Sequence, residues 1–355
     1  MNNMELVKRF VKVIKTSKVE NFKIMEVCGT HTKAISRLGI RQLFSSKITL
    51  LSGPGCPVCV TPENYIDNAI ELLKWDNVIL TTFGDLMKVK GSKGNLVQEK
   101  EKGKKIKILY SPLDSIKVAE ENKNSEVVFL AVGFEITAPL IALAIKIAKD
   151  KKIENLSFFT GLKTMKPVLR KILEDKTHKI DGMICPGHVA VVKGADYFKF
   201  ISEEYNIPAV VAGFEAEDIL AAIYFLTQQK DRIKKDFANL YKSCVTSQGN
   251  IFANKIMDEV FYSSSARWRG IGNIENSALN IKDMYNNFNA IKRFQINLGI
   301  YDESEQCLCS EILLGRKLPS ECKLFKIQCN PTSPYGPGMI SQEGSCSVFY
   351  QEFIK

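Results

Sequence analysis

The chain has 355 residues, 45% apolar and 25% charged, the composition of an ordinary globular protein rather than a disordered one, with length for two or three domains of about 100–200 residues. Lys+Arg 49 against Asp+Glu 39 leaves a formal charge of +10, but the densest basic run, 88–107, also carries Glu99 and Glu101 and has no interleaved aromatic residues. It reads as the solvated face of a loop and hairpin, so neither a nucleic-acid partner nor base stacking is expected.

Apolar runs as long as Val127–Phe134 are strand-sized, far short of the roughly 20 residues of a membrane span, and the N-terminal MNNMELVKRFVKVIKTS has no signal-peptide core. A cytoplasmic protein without a membrane partner is expected. In chain order, Glu5–Ser17 sets Leu6, Val7, Phe10, Val11, Val13 and Ile14 on one helix face. Short apolar runs follow at Lys23–Val27, Ile48–Leu51, Val78–Thr81, Ile106–Tyr110, Val127–Val132, Leu156–Phe159, Gly182–Ile184 and Ala209–Ala212. Amphipathic stretches lie between them: Pro62–Trp75 behind Thr61 as a cap, Ala138–Lys149 behind Thr137, and Glu217–Gln228. Strands alternating with helices indicate a parallel α/β fold. Gly133-Phe134-Glu135 and Gly213-Phe214-Glu215 each stand between an apolar strand and a helix, either as an echo of two similar halves or as a chance match. Beyond about residue 230 the strand signal fades and the chain turns helical, polar and finally Cys-rich. The expected architecture is α/β: two similar parallel-sheet lobes around a cleft, 1–120 and 121–225, and a mostly helical Cys-rich domain, 226–355.

The chemistry is concentrated in ten cysteines, which in a reducing compartment bind metal or do redox work more often than they form structural disulfides. Cys28-Gly-Thr-His31-Thr, Gly53-Pro-Gly-Cys56-Pro-Val-Cys59, Phe83-Gly-Asp85, Gly133-Phe-Glu135, Cys185-Pro-Gly-His188 and Gly213-Phe-Glu215 all fall just beyond strand ends. Parallel α/β sheets bind ligands there, so a shared cleft lined by Cys28, Cys56, Cys59 and His188 is expected. A thiol between a strand and a helix N-terminus should have a lowered pKa, suiting it as nucleophile or soft metal ligand. The bland alternative for Cys28 is a small buried apolar residue, and for His31 a helix-start hydrogen-bonding group instead of a ligand. Cys56-x-x-Cys59 can close a disulfide or chelate a metal. His178 reads as exposed and inert, and Cys244 as structural.

Cys307, Cys309, Cys322, Cys329 and Cys346 have no His after residue 188 to accompany them, so a site among them is all-thiolate, zinc or iron–sulfur. Their irregular spacing lacks the paired knuckles of structural zinc and favours iron–sulfur. Five candidates for four places leave either Cys307 or Cys309 spare.

The motifs EVCGTHT (26–32), LSGPGCPVCVTP (51–62), TFGDLMKVKGS (82–92), AVGFEITAP (131–139), CPGHV (185–189), VAGFEAEDIL (211–220), RWRGIG (267–272) and the Cys-rich segment 307–346 occur in an order that resembles the HypD family of hydrogenase maturation proteins. The resemblance implies a scaffold for the Fe(CN)2CO group of [NiFe]-hydrogenases, working with a HypC-type chaperone and a HypE-type cyanide donor and serving the hydrogenase large subunit indirectly. It makes Cys28 the thiolate of the iron that carries cyanide and carbonyl, and Cys56 and Cys59 a redox-active or iron-binding pair. Thr30, His31, Thr32 and His188 would surround that iron, and Cys309, Cys322, Cys329 and Cys346 would hold a [4Fe–4S] cluster. Family members often carry Gly where this chain has Ser310 and Lys326. An assembly scaffold rather than a multiple-turnover enzyme is therefore expected. The alternative is an iron–sulfur thiol–disulfide oxidoreductase resembling ferredoxin–thioredoxin reductase, which has no use for Cys28 and its Gly-Thr-His neighbours.

Overall fold

The computed structural model describes residues 3–352 except 176, 178, 298 and 300–306, so His178 lies outside the described residues. Its strands are β1 (Phe22–Glu26), β2 (Ile48–Ser52), β3 (Val78–Thr82), β4 (Ile106–Ile108), β5 (Glu126–Gly133), β6 (Leu156–Leu162), β7 (Gly182–Cys185), β8 (Ala209–Val211), β9 (Phe237–Asn239), β10 (Phe261–Trp268) and β11 (Gly272–Ile281). The first eight are the eight expected apolar runs with small shifts at their ends, and they pair in parallel as the α/β reading requires.

The chain forms two compact units, each made of discontinuous segments. The first comprises Met1–Cys59, Val168–Asn250 and Glu305–Lys355. Its sheet has the order β2-β1-β7-β8-β9, all parallel. The helix Asn3–Thr16 lies against the helix Ala216–Thr227, and Ile14, Ile24, Ile35, Leu50, Ile184, Ile219 and Ile223 meet in one buried core. The second unit comprises Val60–Pro167 and Ile251–Ser304, with a parallel sheet β4-β3-β5-β6 and an antiparallel hairpin β10-β11. Its fully buried Trp268 donates from Nε1 to Ser277 Oγ (2.9 Å) and stacks on Phe134 at 5.9 Å. This grouping differs from the sequential division 1–120, 121–225 and 226–355. The sheet order is the cause: β7 and β8 extend the sheet begun by β1 and β2, so an intervening segment belongs to the other unit.

Several local expectations change. The helix Glu63–Leu72 has Pro62, not Thr61, at its N-cap, and Thr137 occupies an N-cap without a side-chain capping bond. The basic run 88–107 does not form a hairpin face beyond an isolated Gly91–Gly94 bridge. It holds the helix Leu96–Glu101, started by a reciprocal Asn95–Gln98 capping box that satisfies two orphan N–H groups. Within 226–355, β9, β10 and β11 form where no strand is expected. The Cys-rich segment itself is helical, with helices Cys309–Leu313 and Ser345–Glu352 and 3-10 turns at Pro319–Glu321 and Pro337–Met339. Among the described residues no helix is long and apolar enough to cross a membrane.

Candidate functional site

In the first unit, β1, β2, β7 and β8 are parallel neighbours or near neighbours, so the loops after them emerge on one edge of the sheet. β1 leads through Val27 to Cys28, the N-cap of the helix Gly29–Arg37, and β2 leads into Gly53-Pro54-Gly55-Cys56. β7 ends on Cys185 before the helix Gly187–Lys193, and β8 is followed by Gly213-Phe214-Glu215. The first two loops are in direct contact: Gly53 N–H donates to Glu26 O (2.7 Å) and Gly29 N–H to Gly55 O (3.2 Å). A Cβ on Gly55 would lie 2.6 Å from Cys28 Cα, so this close approach requires glycine. Four of the six expected clusters thus belong to this sheet. Those at Phe83–Asp85 and Gly133–Glu135 follow β3 and β5 of the second unit.

Cys28 is buried, and its Sγ stands 4.0 Å from His188 Nδ1. Burial pushes its thiol up to about 12, the Glu26 and Glu343 carboxylates adding to the rise, while the His31 and Thr30 N–H groups oppose it. The lowered pKa expected from the helix N-terminus is corrected: the N–H groups act in the expected direction, but desolvation is larger. At neutral pH the thiol is therefore protonated.

The two histidines are joined by one ring. Phe214 contacts His31 at 4.6 Å and His188 at 4.3 Å between centroids. His31 Nε2 lies 2.8 Å from Gly213 O, an acceptor, so Nε2 carries the proton. Burial lowers its pKa to about 4 and keeps it neutral. Its Nε2 is thereby committed to the backbone, while its buried Nδ1 has no hydrogen-bond partner among the described residues. Half-buried His188 also has its pKa lowered by burial, with Glu343 opposing. Thr32 Oγ1 donates to Glu26 Oε1 at 2.5 Å, and Thr30 Oγ1 to Glu343 Oε1 at 3.1 Å.

Cys56 and Cys59 are both buried thiols. Burial raises the Cys56 pKa, but hydrogen bonds from the Cys59 thiol, the Ser341 hydroxyl and the Cys59 N–H (3.3 Å) outweigh it and leave Cys56 below the ordinary value. Cys59 is raised well above it by donating to Cys56, by burial, and by the nearby Cys309 and Cys346. Within the pair, Cys56 is the acidic member, as its position at the start of the C-x-x-C predicts. A Cβ on Gly344 would lie 3.1 Å from Cys59 Sγ, so the Cys-rich segment runs directly past the pair.

In that segment Cys309, Cys329 and Cys346 are buried with Ile312, Phe325, Met339 and Phe349, and half-buried Cys307 and Cys322 pack against them. Cys309 is drawn down by the Cys307 thiol but raised overall by Cys346 and burial. A Cβ on Gly336 would overlap the Cys307 sulfur and lie 2.8 Å from Cys309 Sγ, and one on Gly338 would lie 3.3 Å from Cys346 Sγ. Among the described residues no three His, Cys, Asp or Glu side chains close around a single metal ion. A thiol-only donor set, walled by apolar side chains and lined by glycines where a Cβ would intrude, suits an iron–sulfur cluster.

The remaining sequence features sort as follows. Cys185 is fully buried, and burial raises its thiol, leaving it an inert packing group. Cys244, expected to be structural, is exposed beside Tyr241. Lys326, where the family resemblance leads one to expect Gly, has φ +66°, in the left-handed region that disfavours a Cβ, and its N–H donates to Cys329 O (3.0 Å). Lys326→Gly should therefore raise stability by up to about 1 kcal/mol. The check is the urea midpoint, which an unstrained lysine would leave unchanged or lower. Sequence reasoning missed Glu26, Ser341 and Glu343 as members of the site. Glu26 lies inside the motif EVCGTHT and Glu343 inside the Cys-rich segment 307–346, and an acidic residue within three positions of a cysteine was the available signal.

The sequence profile described as "HypD: Hydrogenase formation hypA family" matches residues 5–352. The hydrogenase maturation factor HypD of Escherichia coli is 39% identical over 330 residues, covering 93% of this chain and 88% of that protein. HypD of Azotobacter vinelandii is 38% identical over 336 residues, 93% and 89% of the two chains. A putative hydrogenase expression/formation protein of Methanocaldococcus jannaschii is 35% identical over 353 residues, 99% and 98%.

Proposed function

This chain belongs to the HypD family of hydrogenase formation proteins, and from that premise we propose that it is the scaffold on which the Fe(CN)2CO group of a [NiFe]-hydrogenase is assembled. The observation that carries this reading is the convergence within one compact unit of Cys28, the Cys56/Cys59 pair and the five C-terminal cysteines, joined by the segment 341–346. The iron is cargo. Cys28 binds it as a thiolate, sharing it with a HypC-type chaperone, and a HypE-type protein delivers cyanide. Soft sulfur suits low-spin iron with strong-field ligands. A cation at Cys28 also offsets the burial and the two carboxylates that hold its thiol protonated. His188, 4.0 Å from the sulfur, and Thr30 stand where they can orient the ligands or the thiolate. Cys309, Cys322, Cys329 and Cys346 would hold a [4Fe–4S] cluster. When bound, such a cluster supplies electrons one at a time.

A second reading, thiol–disulfide oxidoreductase, is favoured by one observation: Cys59 lies close enough to Cys309 and Cys346 for their charges to act on its thiol. In this reading the thiolate of Cys56, the more acidic, attacks a substrate disulfide and releases one substrate thiol, and Cys59 then displaces the second, so that the pair closes a disulfide while the substrate takes up the two electrons and two protons. A thiol-trapping titration of the cluster-loaded protein across redox potential tests this. A single two-electron transition confined to Cys56 and Cys59 is expected. A pair that stays reduced under disulfide-forming conditions would leave iron chelation as its role, and the oxidoreductase reading would fall.

A further inference from the structure

The structure assigns to Glu26 the role of a positioning residue for Cys28, an inference that rests on the iron-scaffold reading for its consequence but not for its geometry. Glu26 ends β1 and is 1% exposed, an expensive place for a carboxylate unless its oxygens are used. They are used on the cysteine's own turn. Oε2 accepts the Cys28 N–H at 3.1 Å and Oε1 accepts the Thr32 hydroxyl at 2.5 Å. Burial raises the carboxyl's pKa, and the Ser52 side chain, at the end of β2, opposes that rise with Thr32 and the Cys28 N–H. The backbone of Glu26 takes part too, its carbonyl accepting Gly53 N–H (2.7 Å) from the loop that leads to Cys56. One buried side chain therefore fixes the N-cap residue, the first turn of the helix behind it and the end of the neighbouring strand.

Arg41 acts on Glu26 through its charge, yet its own hydrogen bonds go elsewhere: Nε donates to Glu352 Oε1 at 3.2 Å and Nη1 to Leu50 O. Its guanidinium also lies 5.2 Å over the Phe349 ring. Glu352 and Phe349 belong to the helix Ser345–Glu352, which carries Cys346. Among the described residues no ion pair forms with Glu26, so its role rests on the hydrogen bonds it makes to the Cys28 turn.

Two substitutions test the positioning. In Glu26→Gln the amide oxygen can keep the Cys28 N–H, while the amide NH2 donates to Thr32 Oγ1 and the Thr32 hydroxyl turns to Cys28 O, already 3.3 Å away. The geometry of the turn survives. Glu26→Ala loses these bonds. Hydrogen–deuterium exchange on the metal-free full-length protein reads the positioning role without any iron chemistry. The Cys28 amide, which loses its acceptor, should exchange about tenfold faster in Glu26→Ala, the consequence of losing one hydrogen bond of ordinary strength, and near the wild-type rate in Glu26→Gln. Unchanged protection in Glu26→Ala overturns the positioning role whatever the cargo is. Infrared spectra of the complex with a HypC-type partner read the consequence for the iron. The cyanide and carbonyl bands should persist in Glu26→Gln, which keeps the Cys28 turn in place, and weaken or broaden in Glu26→Ala. Unchanged bands in Glu26→Ala would overturn that consequence. Bands missing from the wild type would count against the scaffold reading instead, with the exchange result still deciding the positioning role.

Discussion

Cys28→Ala should abolish hydrogenase maturation while leaving a folded protein with an intact C-terminal cluster. The thiol is small and buried, and replacing it removes one sulfur from a loop whose backbone is held independently by Glu26, Gly55 and the helix Gly29–Arg37. A stability loss on the order of 1 kcal/mol is expected, visible as a small drop in the unfolding midpoint. The loss of function should be complete, because no other thiol occupies the same position beside His188. Complementation of a strain lacking its own HypD, with hydrogenase activity as readout and far-ultraviolet circular dichroism as the folding control, separates the two effects. Cys28→Ser, which keeps the volume but exchanges soft sulfur for hard oxygen, should fail as well.

The second large effect concerns the iron–sulfur site. Single replacement of Cys309, Cys322, Cys329 or Cys346 by Ala should bleach the brown chromophore of the anaerobically purified protein, and Cys307→Ala should spare it. All four are drawn into one apolar cluster, and Cys309 is buried where Cys307 is half-exposed. The preference for Cys309 follows the family resemblance, and the Cys307 thiol is close enough to hydrogen-bond Cys309. A bleached Cys307→Ala beside a coloured Cys309→Ala reverses the assignment. Loss of colour at none of the five would show that the thiols hold no such cluster.

The parallel strands were legible because strands buried on both faces read as continuous apolar runs, as β5 does with seven of its eight residues buried. The hairpin was not. β10, Phe261–Trp268, buries only its end residues, Phe261 and Trp268, and β11 interleaves Asn and Glu with its apolar positions, so neither produces a core-strand signature. The capping box at Asn95 and Gln98 was readable but was obscured by the lysines around it. The discontinuous units lie beyond any local pattern, since nothing in the sequence of β7 states that it will pair with β1. Within the site, the cysteines and histidines announced themselves by residue type and by their place after strands. Glu26 and Glu343 did not, because a carboxylate acquires its role from what folds against it: Cys28 and Thr32 for the first, Thr30 for the second. The reversed pKa of Cys28 has the same origin, for helix dipoles can be anticipated from sequence whereas complete burial cannot.

The central claim is that Cys28 holds the iron that receives cyanide and carbonyl, and the infrared spectrum of the anaerobically purified protein with its HypC-type partner tests it most directly. The account predicts cyanide and carbonyl stretching bands in the wild-type complex and their absence from the Cys28→Ala complex at equal protein and partner content. Bands of wild-type intensity in Cys28→Ala would contradict it and place the iron elsewhere, with Cys56 and Cys59 the first thiols to examine.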